Sequence, residues 1–407
     1  MSRQTIIERL GHLGDGIAPG PVFVPGTLPG EVVEGEVSDG RMAAPKIVTP
    51  SPDRVRAPCP HFRACGGCVL QHASDGFVAS WKAGVVQQAL RAQRITAEIV
   101  AVHSSPANSR RRAVLSGRRT KKGATVGLHA RASDAIVEIP DCLLMDPAIM
   151  GLIPALKALT AELGSRKGEL SFAVTVSEGG LDLAVRDGKG LDGPKRIRLA
   201  EIATTNDLAR LVWDDEVIVT RRPPVQRFGR TAVVPTPGAF LQATPQGEAA
   251  LLDAVNRAVA KAKAVADLFA GCGTFALPLA ENAEVHAVEG SAEMLKALEN
   301  GWRRAERLHR VTTEARDLFR RPLMPDELKK YDAVVIDPPR AGAEAQTEQL
   351  ADSAVPVIAA VSCNPVTFAR DAKVLIDAGF NLDWIEVVDQ FRWSPHIELV
   401  ARMSRTR

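Results

Sequence analysis

Asp267-Leu268-Phe269-Ala270-Gly271-Cys272-Gly273-Thr274 ends one apolar run and opens a helical one. Glycines at such a junction let the backbone approach a ligand at a helix N-terminus, as in sheets that bind nucleotides. Around it, Ala264 to Phe269, Glu284 to Glu289, Arg310 to Glu314, Asp332 to Asp337, Val355 to Ser362, Asn381 to Asp389 and Glu398 to Met403 have strand character, with helical stretches between most of them. That alternation predicts a doubly wound, Rossmann-like α/β domain over residues 241–407. Glu289 closes its strand about 20 residues after the glycine turn, where an acid can take two ribose hydroxyls. Asp317 and Asp337 follow at the ends of successive strands. The lack of a full G-x-G-x-x-G argues against a pyrophosphate and for a nucleoside such as S-adenosylmethionine.

Val361-Ser362-Cys363-Asn364-Pro365-Val366-Thr367 is a second strand-to-helix turn. Pro365 suits a first helical position and Asn364 can cap it, so a helix is predicted over 365–378 with Cys363 beside its positive end. The dipole favours a thiolate by about 0.3–1 kcal/mol, less than one pKa unit, which alone leaves the thiol protonated at neutral pH. A bound substrate or further donors must complete the activation. In isolation such a residue reads first as a buried structural cysteine. The rest of the chain reverses that reading.

A chain of 407 residues accommodates two or three domains with their own cores, and 45% apolar content fits a soluble globular protein. No run approaches the roughly 18 apolar residues of a membrane span, and Met1-Ser2-Arg3-Gln4-Thr5 lacks a signal peptide's hydrophobic segment, so no membrane is expected and the cytoplasm is. Six cysteines are too few for a disulfide scaffold of this length, and their uneven clustering points to a metal or to catalysis. The net charge of +3 argues only weakly for nucleic acid. Locally, Arg110, Arg111, Arg112, Arg118, Arg119, Lys121 and Lys122 crowd one stretch with no acid between them, either a phosphate track or a solvated hairpin.

Residues 1–52 alternate short β-like runs with glycine and proline turns, the punctuation of a small β-barrel, and Pro45 to Pro60 reads as a linker. Residues 53–240 form a second unit. It opens with Cys59, Cys65 and Cys68 and receives Cys142 from far downstream. Three clustered thiolates and one returning suit a 4Fe-4S cluster, whose four cysteines close all four corners. Zinc is the first rival, although structural zinc usually takes two close pairs. Cys65-Gly66-Gly67-Cys68 also fits a dithiol redox pair but lacks its βαβ setting, and a radical-SAM cluster uses three cysteines at a tighter first spacing. A helix is predicted over residues 71–94 and another over 152–163, with strand-like runs alternating from 112 to 222.

Together these segments resemble the RNA uracil-5 methyltransferases of the TrmA/RumA type, in particular the RlmD-like branch that modifies 23S rRNA and carries a TRAM domain and a 4Fe-4S cluster. The resemblance spans nearly the whole chain. It rests on Gly14-Asp15-Gly16-Ile17-Ala18 and Pro25 to Glu31 for the TRAM-like OB barrel, and on Cys59, Cys65, Cys68 and Cys142. Further on it rests on Phe240-Leu241-Gln242, Asp267 to Thr274, Asp337-Pro338-Pro339-Arg340-Ala341-Gly342, Ser362-Cys363-Asn364-Pro365 and His396-Ile397-Glu398. It implies that Gln242, Phe269, Thr274, Glu289, Asp317 and Asp337 line the site of S-adenosylmethionine, and that the helix after Cys68 packs on the catalytic domain. Thr274 stands where an amide is common, and Cys272 reads as an inert small residue.

For that family the chemistry requires a nucleophile at carbon 6 of uracil, because carbon 5 is otherwise too poor a nucleophile to take a methyl group. Cys363 is the expected nucleophile. Glu398 is the expected base that removes the carbon 5 proton so that the thiol can be eliminated. The target must be unstacked, hence a loop or a flipped nucleotide, with 23S rRNA favoured over tRNA and a monomeric enzyme expected. An amino-methyltransferase also has an Asp-Pro-Pro turn, but an aromatic usually follows where Arg340 stands. Cytosine-5 enzymes place their cysteine after proline, and here Ser362 precedes Cys363. A non-catalytic RNA-binding iron-sulfur protein is the reading from another class, and the joint presence of Cys363 and Glu398 speaks against it.

Overall fold

The computed structural model of the chain describes residues 2–405. At the N-terminus β1 (Ser2–Ile6), β2 (Arg9–Leu10), β3 (Gly16–Ala18), β4 (Val22–Val24), β5 (Val32–Glu36) and β6 (Lys46–Thr49) form two three-stranded antiparallel sheets, ordered β1-β5-β6 and β2-β3-β4. They enclose a small core of Ile7, Ala18, Val22, Val24, Val33 and Met42. β6 falls in the proline-rich stretch read as linker: Ile47 and Thr49 pair with Val33 and Val32. Beyond it, Glu31 is buried without solvent, accepting from the Leu28 and Ser51 backbone N–H groups and from Arg54. These bonds hold its carboxyl below the ordinary range despite its burial.

Helix α1 (Asp75–Ala92) starts at Ser74, whose hydroxyl accepts from the Phe77 N–H, and strand β7 (Ile99–Ser104) follows it. The chain then builds a seven-stranded sheet from β8 (Arg112–Thr120), β9 (Gly123–His129), β10 (Ile136–Val137), β11 (Glu169–Ser177), β12 (Gly180–Arg186), β13 (Arg210–Trp213) and β14 (Glu216–Thr220). Its order is β10-β9-β8-β11-β12-β13-β14. Helices α2 (Pro147–Leu163) and α3 (Gly193–Thr205) contribute Ile149, Leu156, Leu159 and Leu199 to the core that this sheet shares with Leu115 and Phe172. The hairpin β15 (Gln226–Phe228) and β16 (Thr231–Val233) leads out of this unit.

The C-terminal part runs α4 (Pro245–Val259), β17 (Ala264–Leu268), α5 (Ala276–Leu279), β18 (Glu284–Glu289), α6 (Ala292–Arg304), β19 (Val311–Ala315), α7 (Pro325–Leu328), β20 (Ala333–Ile336), α8 (Glu344–Asp352), β21 (Val357–Ser362), α9 (Pro365–Asp377), β22 (Asn381–Asp389) and β23 (Glu398–Ser404). All seven anticipated strands form. The sheet order is β19-β18-β17-β20-β21-β23-β22-β7, parallel except that β23 runs antiparallel to both neighbours. Strands β17, β20 and β21 are buried almost throughout, as expected of strands covered by helices on both faces. One face packs on α4 and α6 through Leu251, Val255 and Leu298, the other on α1, α8 and α9 through Val86, Leu90, Leu350 and Leu375.

The eighth strand extends the packing expected of the helix after Cys68. β7 pairs in parallel with β22, Val387 opposite Val102 and Asp389 opposite Ser104, so residues 75–104 belong to the catalytic sheet and interrupt the segment read as 53–240. Among the described residues no helix is long and apolar enough to cross a membrane.

Leu90→Ala tests this arrangement. Its side chain is 1% exposed in the core beneath β22, so truncation is predicted to cost about 2–5 kcal/mol in urea melts. Hydrogen exchange in the same variant should lose protection in β7 and β22 before β8 and β11.

Candidate active site and cysteine pocket

The carboxyl ends of β17, β18, β20 and β21 open into a cavity of about 570 Å³. Gln242, Phe269, Thr274, Glu289, Asp317, Asp337, Cys363 and Glu398 all line it. On one side lies the glycine turn. Phe269 adopts φ +64°, a left-handed conformation unusual for a bulky residue, and its ring meets Phe319 at 5.4 Å. Gly273, at φ +99°, lies so close to Leu277 and Leu298 that a Cβ would approach both within 2.9 Å, which requires glycine there. Glu289 accepts from the Gly271 N–H at 3.1 Å and the Ser291 N–H at 3.0 Å, tying this turn to the start of α6. Each carboxylate oxygen keeps a second acceptor site for a hydroxyl. Asp317 is exposed on the rim, its Oδ1 taken by the Phe319 N–H.

The other side is organised by register. Val361 pairs with Val400 and Ser362 with Leu399, so the next step of the antiparallel ladder sets Cys363 beside Glu398. Asn364 caps α9 by accepting from the Val366 N–H at 3.0 Å and donates through Nδ2 to the Arg340 carbonyl at 2.9 Å. Thr367 donates to the same carbonyl. The Asp-Pro-Pro-Arg turn and the cysteine turn are thus one hydrogen-bonded unit, which explains why an Asn follows the cysteine.

Electrostatics differ from the expectation raised by the helix end. Burial, reinforced by Glu398 and Asp337, raises the Cys363 thiol to about 11, and only Arg340 and a backbone N–H oppose this. Glu398, 4% exposed, is raised to about 8, chiefly by burial and then by Asp337. Burial raises Asp337 to about 7, and behind it Asp267 is held well above the carboxylate range by burial and by Asp337. Burial therefore favours the protonated forms of Cys363, Glu398 and Asp337, and desolvation outweighs a dipole worth under one pKa unit.

Gln390 and Phe391, which the sequence reading missed, complete this wall. Gln390 accepts from the Ala243 N–H at 2.7 Å, donates to Gln242 Oε1 at 2.6 Å, and hydrogen-bonds Glu398. Phe391 lines the cavity in edge-on contact with His396 of the His-Ile-Glu motif. The only sequence signal for Gln390 and Phe391 was their position just past a strand end. A second cavity, of about 550 Å³, meets the first at Arg340, Phe391 and His396 and extends past Arg110 and Arg131 to Leu13 of the N-terminal unit.

The basic stretch splits. Arg111 is buried, paired with Glu248 and donating to the Gln242 carbonyl, and Arg110 stacks over Phe391 at 5.7 Å. Arg118 pairs with Glu169, which leaves Arg119, Lys121 and Lys122 at the tip of the β8-β9 hairpin for an external partner. Arg111 is therefore an internal strut and not part of a phosphate track, whereas Arg110 lines the second cavity.

Cys59, Cys65, Cys68 and Cys142 converge on one small cavity walled by Phe62, Leu128, Ile139 and Leu144, and none forms a disulfide. Gly66 donates to the His129 carbonyl, and a Cβ there would lie 2.8 Å from that oxygen, so the Gly-Gly pair lets the loop press against β9. Burial raises the Cys68 thiol to about 12, with Cys142, Cys65 and Cys59 adding to the effect. Arg110 is near enough to Cys68 and Cys142 to feel their charge. Among the described residues no group of three or more His, Cys, Asp or Glu side chains is gathered around a single point that could hold one metal ion.

Residues 236–406 match the family model described as tRNA (Uracil-5-)-methyltransferase. An uncharacterized RNA methyltransferase of Mesorhizobium japonicum is 44% identical over 410 residues, covering 100% of this chain and 99% of its own. The 23S rRNA (uracil(1939)-C(5))-methyltransferase RlmD of Shewanella piezotolerans is 32% identical over 97% of this chain and 94% of its own. Among solved structures, the Pyrococcus abyssi tRNA (uracil-54, C5)-methyltransferase with S-adenosyl-L-homocysteine superimposes with a TM-score of 0.78 at 22% identity, covering 98% of this chain and 99% of that one, a likeness of fold. Whole-length identity to RNA methyltransferases and a sheet built around the donor-site turn lead to one conclusion: the chain belongs to the TrmA/RumA-type family of S-adenosylmethionine-dependent RNA uracil-5 methyltransferases.

Proposed function

We propose that this enzyme methylates carbon 5 of a uridine in 23S rRNA, with Cys363 as nucleophile and Glu398 as base, acting as a monomer in the cytoplasm. The observation that carries the reading is the ladder step that sets Cys363 and Glu398 side by side on the wall of the donor cavity. In its thiolate form Cys363 adds to carbon 6, and the electrons pass through carbon 5 to the carbonyl at carbon 4 as an enolate. Carbon 5 then attacks the sulfonium methyl, releasing S-adenosylhomocysteine. Ionised Glu398 takes the carbon 5 proton, the double bond re-forms, and the thiolate leaves. The thiol is raised to about 11, so the thiolate must be generated as the substrate seats, and Arg340 is the neighbouring cation that favours it.

Gln242, Phe269, Thr274, Glu289, Asp317 and Asp337 are assigned to the methyl donor, Glu289 to its ribose hydroxyls. The RNA strand is assigned to the second cavity, whose arginines suit phosphates and whose Phe391 and His396 suit bases, with the TRAM-like N-terminal unit at its far end. The relative that acts on uracil 1939 of 23S rRNA supports rRNA as substrate.

Cys59, Cys65, Cys68 and Cys142 are assigned to a 4Fe-4S cluster: they line one cavity, and a cubane takes one thiolate per iron, with three ligands clustered in sequence and one returning from a distance. Such a cluster would hold Cys142, and with it the end of β10, to the Cys59–Cys68 loop. Arg110 beside these thiols would offset part of the negative charge.

Four measurements check this reading. Denaturing gels with methyl-labelled donor should show Glu398→Gln accumulating a methylated protein–RNA adduct, while Cys363→Ala gives neither adduct nor product; substantial turnover by Cys363→Ala would remove the nucleophile assignment. Because Glu398 is raised to about 8 and acts ionised, resolution of the wild-type adduct should accelerate about tenfold per pH unit up to pH 8 and then level off. Anaerobic preparations should contain about four irons per chain, lost in Cys142→Ser, and stoichiometric zinc without iron would exclude the cluster. Mapping 5-methyluridine in 23S rRNA and tRNA of a deletion strain decides the substrate.

A further inference from the structure

Lys82 is among the largest fully buried side chains of the described residues, and it lines neither cavity. It stands on the inner face of α1, 307 residues before its ion-pair partner Asp389. Its ammonium group donates to Asp389 Oδ1 at 2.6 Å, to the His396 carbonyl at 2.8 Å and to the Phe391 carbonyl at 3.3 Å. Three protons and three acceptors match, so the group is fully used. All three acceptors belong to one segment, the loop from the end of β22 to the start of β23, and that loop delivers Gln390, Phe391, His396 and Glu398 to the catalytic wall.

The loop is held from the same side a second time. The Val69 and Leu70 N–H groups, just after Cys68, both donate to the Trp393 carbonyl, at 2.8 and 3.0 Å. Trp393 itself takes φ +59° and buries its ring in the core of the seven-stranded unit. Cys363 is held differently, by Asn364, Thr367 and the Arg340 carbonyl on β21 and α9, none of which touches Lys82. The methyl-donor turn is likewise held by its own bonds to Glu289.

We propose that Lys82 is a positioning residue for the proton-removal step: by clamping Asp389 and the carbonyls of Phe391 and His396 it sets where Glu398 and its partner Gln390 sit, and it leaves addition and methyl transfer to elements that it does not contact. The inference rests on the assignment of Cys363 and Glu398 made above. The affected step is the one in which the Glu398 carboxylate takes the proton from carbon 5, the carbon 5–carbon 6 double bond forms, and the bond from carbon 6 to Cys363 sulfur breaks. Released from the clamp, Glu398 no longer meets that proton in line, and the methylated adduct persists.

Removing Lys82 alone would leave Asp389 buried without its cation, a strongly destabilising change, whereas replacing a buried ion pair by apolar residues is often neutral. The test variant is therefore Lys82→Met with Asp389→Leu, compared with wild type and with Glu398→Gln. The double variant is expected to bind S-adenosylhomocysteine within about threefold of wild type and to transfer methyl in a single turnover. Its kcat should fall tenfold or more, by a larger factor than any rise in KM for RNA transmitted through Phe391 and His396, and labelled methyl should migrate with the protein on a denaturing gel. A purely structural role would instead depress binding, transfer and release together without trapping label. Lys82→Gln with Asp389→Asn, a polar replacement, reads the same quantities if the first pair does not yield protein that binds S-adenosylhomocysteine. Turnover within twofold of wild type, or parallel loss of transfer and release with no adduct while Glu398→Gln does trap one, would overturn the role given to Lys82. Absence of adduct in Glu398→Gln itself would overturn the elimination chemistry, and Lys82's part in it would fall too.

Discussion

The antiparallel pairing of β21 with β23 is the constraint on which the site depends. Every pair of neighbouring strands in this sheet that does not include β23 is parallel, and parallel strands bring functional residues to the same end only through separate crossovers. Reversing one strand brings the start of β23 against the end of β21, so Glu398 enters the sheet where Cys363 leaves it. A slip of one residue would turn Glu398 to the opposite face, and the buried Leu399, Val400 and Ala401 on both sides make that slip costly.

This placement has an electrostatic consequence. Cys363, Glu398 and Asp337 share a poorly hydrated wall, in which Asp337 raises the proton affinity of both Glu398 and Cys363, and Glu398 raises that of Cys363. A helix N-terminus acts through partial charges in one turn of backbone, whereas desolvation acts on the whole ionised group. Cys363 consequently rests as a thiol. Arg340, anchored through its carbonyl to Asn364, is the cation that opposes the shift at both Cys363 and Glu398.

Burial also governs the loop that leads to Glu398. Between Asp389 and Glu398 the chain passes from β22 to its neighbour β23 without regular structure, and its carbonyls need donors that the sheet does not supply. Lys82 and the backbone of Val69 and Leu70 supply them from the segment following the cysteine loop. The cysteine pocket and the catalytic wall are thus joined through a single stretch of chain, residues 65 to 82, which also packs Leu70 and Val78 against Leu10 and Leu28 of the N-terminal unit.

The sequence by itself determined the seven strands of the catalytic sheet and the two strand-to-helix turns, because apolar runs, glycines and an Asn-Pro cap are local signals that need no partner. It also singled out Glu289, Asp317 and Asp337, acids at successive strand ends that line one cavity, while Gln242, Phe269 and Thr274 were implied by the family resemblance. Tertiary structure alone decided that β7 is the eighth strand, because a short edge strand is recognised only by its partner Asn381–Asp389 far downstream. It decided as well that Arg111 faces Glu248 and not a phosphate, and that Cys363 rests as a thiol. Most of all it decided the place of Lys82: a lysine on a helix reads as solvated, and only packing against Asp389, 307 residues away, turns its charge inward. Charge placement and desolvation depend on what lies across the fold, and that information is absent from any local window of sequence.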